Sequence, residues 1–117
     1  MHRLLLILTA LTPSAMAGDI DQLAAIAAMQ QPNSVLIDVR TATEFAQGAL
    51  PGATRIETHR LAQRIGEIAP DKNVPVILYC RTGRRSSAAE ELLKELGYSQ
   101  VINAGGYDDL KVALPSH

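Results

Sequence analysis

The chain has 117 residues, of which 47% are hydrophobic, 20% are charged and 3% are aromatic, and its formal net charge is −1. This length suits one globular domain and is too short for two. The near-zero charge does not favour binding to nucleic acid or to an anionic membrane, and the scarcity of aromatic residues argues against a base-stacking platform.

The first 17 residues have the layout of a secretory signal peptide. A basic start precedes an apolar run over residues 4–11 and an A-x-A pattern that ends at Ala17. We therefore predict cleavage after Ala17, a mature domain over residues 18–117, and a periplasmic or secreted location. A membrane anchor is the alternative, but the apolar run is much shorter than the roughly 20 residues that a spanning helix needs.

The mature sequence is expected to begin with a helix and a buried strand. Asp19 and Gln22 resemble a capping box, and the spacing after them predicts a helix that stops before Pro32. A short apolar run over residues 35–39 then predicts a buried strand. The apolar stripe of the helix is predicted to contain Ile20, Leu23 and Ala27.

A short helix, a brief strand and a longer amphipathic helix follow. Thr41 and Glu44 form a T-x-x-E capping box, which predicts a helix that Gly48 ends. Residues 54–56 are typical of a brief strand. The longer helix is predicted to begin with a cap at Thr58 and to end before Pro70. Its apolar face is formed by Leu61, Ile65 and Ile68.

The clearest strand and the clearest helix lie on either side of the only cysteine, Cys80. Residues 74–79 are a continuous apolar run, and Ser87 and Glu90 form a capping box for a helix that begins near residue 86. Residues 101–104 predict a last strand. The apolar positions of this helix are Ala89, Leu92, Leu93 and Leu96, Gly97 closes it, and a final helix carries Tyr107, Leu110 and Leu114.

This order of elements predicts a three-layer α/β/α domain with a mostly parallel central sheet. Strands that are continuous apolar runs and are separated by helices are typical of sheets buried on both faces. Ligands of such sheets bind beyond the carboxyl ends of the strands. Cys80 follows the strand at residues 74–79, so it is expected at that edge.

The segment C-R-T-G-R-R, residues 80–85, combines several features that stabilise a thiolate. The chain leaves a strand and enters a helix within this span, and Gly83 permits the tight curve that turns backbone N–H groups inward. The helix start adds about half a positive charge, and Arg81, Arg84 and Arg85 add full charges. Thiols in such surroundings have pKa values of roughly 3.5–7.5, against about 8.5 for a free thiol. We predict that Cys80 is largely thiolate at neutral pH and that its loop binds an anion.

A buried structural cysteine is the alternative for Cys80, because free cysteines often serve as small hydrophobic residues. That interpretation would fit apolar neighbours better than a glycine and three arginines. No internal disulfide can form with one cysteine, although small exported domains commonly depend on disulfides. An unpaired thiol in an oxidising compartment is prone to oxidation, which also indicates a functional use.

Three segments, in the expected order, resemble the rhodaneses, the sulfurtransferases of the rhodanese-like domain superfamily, and in particular their single-domain exported members. The segments are LIDVRTATEFAQGALPGATRI, YCRTGRRSSAAEELLKELGY and VINAGGYDDL. The resemblance covers nearly all of residues 19–114. It implies that the thiol of Cys80 attacks a sulfane sulfur donor such as thiosulfate, becomes a persulfide and passes the sulfur to cyanide or a thiol.

The resemblance also implies the remaining site residues. Cys80 would be the nucleophile, the backbone N–H groups from Arg81 to Arg85 would form a cradle, and Arg81 and Arg85 would bind the anionic donor. It implies no metal and no organic cofactor, and Asp38 and Arg40 are expected to brace nearby loops. The substrate-binding residues are therefore predicted to be Arg81, Thr82, Gly83, Arg84 and Arg85.

Two other functions remain as alternatives at the level of sequence. A cysteine phosphatase or arsenate reductase also holds a thiolate among anion-binding groups, but its loop has the form C-x5-R. Here Ser86 occupies that arginine position and Arg85 gives C-x4-R. A rhodanese-like domain that only binds partners is the second alternative, although such domains typically lose the cysteine. The physiological donor and acceptor and the oligomeric state are left open.

Overall fold

Four parallel strands form the centre of the structure, a computed structural model that describes residues 19–115. The strands are β1 (Val35–Asp38), β2 (Thr54–Arg55), β3 (Pro75–Cys80) and β4 (Gln100–Gly106), in the spatial order β2-β1-β3-β4. The helices are α1 (Gln22–Met29), α2 (Ala42–Ala46), α3 (Thr58–Ile68), α4 (Arg84–Glu95) and α5 (Tyr107–Ala113). The predicted signal peptide, residues 1–17, lies outside the described residues. Among those described, no helix is both long enough and apolar enough to span a membrane.

The sheet separates two hydrophobic clusters, one on each face. All six residues of β3 are buried, and successive side chains point to opposite faces because the side-chain period of a strand is two. Leu78 and Cys80 join the cluster that includes residues of α3 and α4, whereas Ile77 and Tyr79 join the cluster that includes residues of α1 and α5. The predicted three-layer α/β/α architecture with a parallel sheet is therefore confirmed.

Helix α1 differs from its prediction in both its start and its buried face. Its N-cap is Asp21, whose carboxylate accepts a hydrogen bond from the backbone N–H of Ala24 at 3.0 Å. The predicted start at Asp19 is wrong because Ile20 forms a parallel bridge with Asn103 and is therefore not helical. The predicted stripe is also wrong, since Ile20 and Leu23 are 55% and 82% exposed. The helix packs instead through the buried Ala25 and Ala28 and the partly buried Ile26 and Met29.

The predicted caps of the other helices have mixed outcomes. The capping box of Thr41 and Glu44 is present in α2. Helix α3 has Glu57 at its N-cap position and no side-chain cap, so the predicted cap at Thr58 is wrong. The predicted capping box of Ser87 in α4 is also wrong, because the helix already begins at residue 84 and the N–H of Ser87 donates to the carbonyl of Gly83.

A buried ion pair at the end of β1 ties three elements together. Asp38 and Arg40 are 0% and 5% exposed, and Arg40 Nη2 donates to Asp38 Oδ2 at 2.7 Å. The same Nη2 donates to the carbonyl oxygen of Gly48 at 2.7 Å, and the guanidinium carbon lies 4.3 Å from the ring centroid of Tyr107. The pair thus connects β1 to the turn after α2 and to α5, which is the bracing that the sequence predicts.

We expect the substitution Arg40→Met to lower the free energy of unfolding by about 3–5 kcal/mol, because it leaves the buried carboxylate of Asp38 without its counter-ion. Arg55→Met is the matched control, since Arg55 and its partner Glu57 are each about one-third exposed. That change should cost about 1 kcal/mol or less. Urea denaturation at pH 7 measures both values, and equal losses would contradict a bracing role for Arg40.

Candidate active site

Cys80 is the last residue of β3, and its side chain is fully buried beneath the segment that follows it. The strand extends one residue further than predicted because Cys80 is in register with Gly106 of β4. Helix α4 begins at Arg84, so the connection between strand and helix is only residues 81–83. The turn is therefore tighter than the predicted loop of residues 80–85.

Two backbone N–H groups, one from this turn and one from α4, donate hydrogen bonds to the sulfur atom, and one hydroxyl group lies within reach of it. The backbone N–H of Gly83 lies 3.0 Å from Cys80 Sγ, and the backbone N–H of Ser86 lies 3.4 Å from it. The hydroxyl oxygen of Ser86 lies 3.5 Å from the same sulfur. Of the N–H groups predicted to form the cradle, those of residues 81–85, only that of Gly83 donates such a hydrogen bond in the structure, and the second donor, Ser86, lies beyond the predicted range.

The surroundings of Cys80 act on its pKa in opposite directions. Burial is the largest influence and raises the pKa of the thiol. The hydroxyl and N–H of Ser86, together with the backbone N–H groups of Thr82 and Gly83, lower it by stabilising the negative sulfur. The hydrogen bonds together outweigh burial, so the pKa of Cys80 lies below its ordinary value, in the direction that the sequence predicts.

Two glycines permit the close approach of the turn to β4. Gly83 has φ of +96°, in the left-handed region that side chains other than glycine rarely adopt. At Gly106, a Cβ atom would lie 2.6 Å from the carbonyl oxygen of Arg81, closer than van der Waals contact allows. A side chain at residue 106 would therefore push the turn off the sheet and disturb the amides that face the sulfur.

Asn103, on β4, fixes the turn and the start of α4 from the sheet side. Its side-chain nitrogen donates to the carbonyl of Gly83 at 3.1 Å and to the hydroxyl of Ser87 at 3.2 Å. Its side-chain oxygen accepts from the hydroxyl of Ser86 at 2.7 Å and from the N–H of Gly105 at 2.9 Å. Asn103 is fully buried, so these bonds are shielded from water. It is a positioning residue for the groups that contact Cys80.

The pairing of β3 with β4 shifts next to Asn103. Leu78 is opposite Asn103, whereas Tyr79 is opposite Gly105, so the register shifts by one residue at this point. Such a bulge redirects a side chain. Sequence reasoning missed both Asn103 and Ser86. The sequence did offer one signal for Asn103, since it is the polar residue within the apolar run over residues 101–104.

Arg85 is held beside the turn by a carboxylate from α2. Its two terminal nitrogens donate to the two carboxylate oxygens of Glu44 at 2.9 and 3.0 Å. The bonds from Arg85, and next the backbone N–H of Thr41, lower the pKa of Glu44 to about 2. The bonds with Glu44 raise the pKa of Arg85, and the negative charge of Cys80 raises it further. Glu44 is thus a third residue that the sequence did not indicate for the site.

The other two arginines of the segment have different surroundings. Arg81 and Arg84 are exposed, as is Thr82. Arg81 lines an open cleft of about 490 Å³, whose lining also includes the cationic side chains of Arg40 and Lys111. Only Arg85 among the three is fixed by an ion pair in the part of the chain that the structure describes. No cluster of three or more His, Cys, Asp or Glu side chains in residues 19–115 could hold a metal ion.

Comparison with known proteins gives consistent similarities. A family model for the rhodanese-like domain matches residues 21–113. The thiosulfate sulfurtransferase PspE of Escherichia coli (strain K12) is 43% identical over 79 residues, which cover 68% of this chain and 74% of that protein. A sulfurtransferase of Allochromatium vinosum is 40% identical over 72 residues, covering 62% of this chain and 65% of its own length.

Two solved structures are similar to this fold as well. A rhodanese with anions from E. coli has a TM-score of 0.65 and 41% sequence identity, and the match covers 70% of this chain and 94% of that one. The human single-domain sulfurtransferase TSTD1 has a TM-score of 0.61 and 25% identity, and the match covers 80% of this chain and 92% of that one. The similarity therefore extends over nearly the whole of both solved chains.

We predict that Ser86→Ala moves the ionisation of Cys80 to higher pH, because it removes the hydroxyl that stabilises the negative sulfur. Thiolate absorbance at 240 nm, measured against a Cys80→Ala protein, follows this ionisation without requiring a reagent to reach the buried thiol. Ser87→Ala is the matched control, since the hydroxyl of Ser87 contacts Asn103 and not the sulfur. An unchanged midpoint for Ser86→Ala would contradict this assignment.

Proposed function

The chain belongs to the rhodanese-like domain family, and we propose that it transfers a sulfane sulfur from thiosulfate or a similar donor, through a persulfide on Cys80, to cyanide or a thiol. The 43% identity to a thiosulfate sulfurtransferase and the similarity to a solved rhodanese support sulfurtransferase activity, as the sequence resemblance implies. We infer the donor, the acceptor and the persulfide from the surroundings of Cys80. The observation that supports the proposal is the thiol of Cys80 at the sheet edge, which accepts hydrogen bonds from the N–H groups of Gly83 and Ser86 that lower its pKa.

The first step is attack of the Cys80 thiolate on the outer sulfur of thiosulfate. A new S–S bond forms on the cysteine, the S–S bond of the donor breaks, and sulfite leaves with its electron pair. The cysteine persulfide keeps one negative charge, as the thiolate did. The charge moves from Sγ to the outer sulfur of the persulfide, so the N–H groups of Gly83 and Ser86, which contact Sγ, stay within about one S–S bond of negative charge before and after the transfer.

The second step returns the enzyme to its starting state. Cyanide attacks the outer sulfur of the persulfide, thiocyanate leaves, and the cysteine takes back the electron pair of the broken S–S bond as a thiolate. A thiolate acceptor reacts in the same way and leaves as a persulfide. No proton must be transferred in either step when both nucleophiles are ionised, so the site needs no general acid next to Cys80.

Reaction at Cys80 requires movement of the residues that cover its side chain. The residue has no exposed surface, so a donor reaches the sulfur only when the turn over residues 81–83 shifts. Arg81 and Thr82 are exposed and lie on the solvent side of this turn. A displacement here would open the sulfur toward Arg81 and the cleft that it lines, where Lys111 also offers a positive charge and Glu44 and Asp108 offer negative ones.

Arg85 is the arginine that is best placed to act on the bound donor. Glu44 holds its guanidinium in one orientation, and its charge interacts with that of Cys80. Arg84 is exposed and forms no ion pair within residues 19–115. At the position where a C-x5-R phosphatase loop has its arginine, Ser86 presents a hydroxyl to the sulfur, which disfavours phosphoryl chemistry.

The proposal is tested by intact-mass analysis after incubation with thiosulfate. We expect a gain of one sulfur atom, located on Cys80 and removed by cyanide with formation of thiocyanate. Cys80→Ser should show neither the mass gain nor thiocyanate. Folded wild-type protein that gains no sulfur would contradict the persulfide, and hydrolysis of phosphate esters that depends on Cys80 would favour the phosphatase alternative.

We expect Arg85→Gln to raise the KM for thiosulfate by about tenfold or more, with a smaller effect on kcat, because it removes a fixed charge that binds the donor. Arg84→Gln removes the same charge from an exposed position and should change KM about twofold at most. Steady-state thiocyanate formation at constant ionic strength gives both values. Equal effects of the two substitutions would show that only net charge matters.

A further inference from the structure

Ile20 lies against the turn that covers Cys80, although it precedes the first helix. The side chain is 55% exposed, and an exposed apolar side chain by itself carries no information. The contacts of its covered side are specific. A Cβ atom at Gly83 would lie 2.6 Å from Ile20 Cδ1, and one at Gly105 would lie 3.0 Å from Ile20 Cγ2. Ile20 therefore rests directly on the backbone of two glycines, one in the turn and one in β4.

The backbone around Ile20 holds its side chain in this place. Ile20 forms a parallel bridge with Asn103, and the N–H of Asp21 donates to the carbonyl of Asn103 at 2.9 Å. Asp21 is also the N-cap of α1, so Ile20 is fixed both to β4 and to the start of a helix. Its branched Cβ leaves few side-chain orientations open. The segment before α1 is thus docked beside the active-site turn in a defined way.

Gly83 is the residue about which this turn can rotate. Its carbonyl oxygen accepts hydrogen bonds from the N–H of Ser87 at 3.0 Å and from Asn103 Nδ2 at 3.1 Å, which hold the peptide group that follows it. Its N–H donates to Cys80 Sγ at 3.0 Å, and residues 81–82 before it are exposed. Rotation about the backbone of Gly83 would therefore lift residues 81–82 and move the N–H away from the sulfur.

We propose that Ile20 is a positioning residue for sulfur transfer, a clamp that opposes rotation at Gly83 and so sets how often the turn uncovers Cys80. Its side chain packs on Gly83 at the point of rotation, so opening the turn separates apolar surfaces and exposes them to water. This contact stabilises the closed turn. The inference rests on the proposed function in one respect, namely that the donor reaches Cys80 by way of this turn.

Leu23 provides a matched comparison within the same part of the chain. It is 82% exposed, so it has much less covered surface to lose than Ile20. Leucine and isoleucine side chains are isomers, so a change to alanine removes the same carbon atoms at either position. Ile20→Val is an intermediate change, because it removes Cδ1, the atom nearest to a Cβ at Gly83, and keeps Cγ2, the atom nearest to a Cβ at Gly105.

The first test measures the rate at which iodoacetamide alkylates Cys80 in the full chain, as a function of pH. The plateau at high pH, where the thiol is fully ionised, reports access to the sulfur and not its ionisation. We expect a plateau rate about tenfold higher for Ile20→Ala, about threefold higher for Ile20→Val and within about twofold of wild type for Leu23→Ala, because about half of an isoleucine side chain is uncovered only in the first case. Equal rates for Ile20→Ala and Leu23→Ala would overturn the proposal.

Low concentrations of urea distinguish opening of the turn from unfolding of the whole domain. Local opening exposes little surface, so alkylation through it depends weakly on urea, whereas alkylation through global unfolding rises steeply. We expect the rate for Ile20→Ala to stay nearly constant below the urea concentration at which that variant unfolds. A steep rise would show a general loss of stability and would contradict the clamp. Ile20→Val allows the same measurement if Ile20→Ala does not fold.

Steady-state kinetics test the role of Ile20 in sulfur transfer itself. A donor that binds only when the turn is open has its apparent affinity reduced by the fraction of open molecules. Ile20→Ala should therefore lower the KM for thiosulfate by up to about tenfold with a smaller change in kcat, and Ile20→Val should have an intermediate KM. Damage to the fold would lower kcat without lowering KM. A KM that does not fall in an active Ile20→Ala protein counts against the proposed role.

Failure of the clamp and failure of the proposed function have different results. Alkylation needs no sulfur donor, so it tests whether Ile20 restricts access to Cys80 even in a protein that transfers no sulfur. Wild-type protein that is alkylated more slowly than Ile20→Ala but gains no sulfur from thiosulfate would keep the clamp and contradict the proposed function. Active protein in which Ile20→Ala leaves the alkylation rate unchanged would keep the proposed function and exclude the clamp.

Discussion

A sulfur atom that carries negative charge can be buried only if hydrogen-bond donors surround it, and this requirement governs the structure around Cys80. The donors come from the turn over residues 81–83 and from the first residues of α4. Keeping the turn close to β4 needs a glycine at residue 106, and curving it needs a left-handed glycine at residue 83. The fold therefore stabilises the negatively charged sulfur with backbone amides and does not use a neighbouring general base.

The amides face the sulfur because the sheet holds the turn from beneath. Asn103 binds the carbonyl of Gly83 and the hydroxyl of Ser86 at once, and the bulge between β3 and β4 occurs at its position. The single hydroxyl hydrogen of Ser86 has three alternative acceptors, namely the side-chain oxygen of Asn103, the carbonyl oxygen of Gly83 and the sulfur. Ionisation of Cys80 therefore favours rotation of that hydrogen toward the sulfur, which couples the positioning network to the charge of the thiol.

Two arginine–carboxylate pairs lie near the same sheet edge, and one has a structural role whereas the other acts at the active site. Arg40 donates hydrogen bonds to Asp38 and to the carbonyl of Gly48. Its charge is paired with Asp38, and its guanidinium group holds β1 against the turn after α2. Arg85 pairs with Glu44, whose carboxylate also belongs to the capping box of α2. Glu44 thus links the start of α2 to the guanidinium group beside Cys80. The ion pair also fixes the long, partly exposed side chain of Arg85.

The sequence alone determined the order of the elements, the parallel α/β/α class and the position of Cys80, because apolar period, capping pairs and the C-R-T-G-R-R segment are local signals. Only the tertiary structure decided that Ile20 is exposed, that Cys80 is fully covered, and that Glu44 and Asn103 join the site. Glu44 lies 41 residues from Arg85, and Asn103 lies 17 residues from Ser86. Such contacts arise from strand pairing and helix packing, and no periodicity within a short window records which distant residues the folded chain brings together.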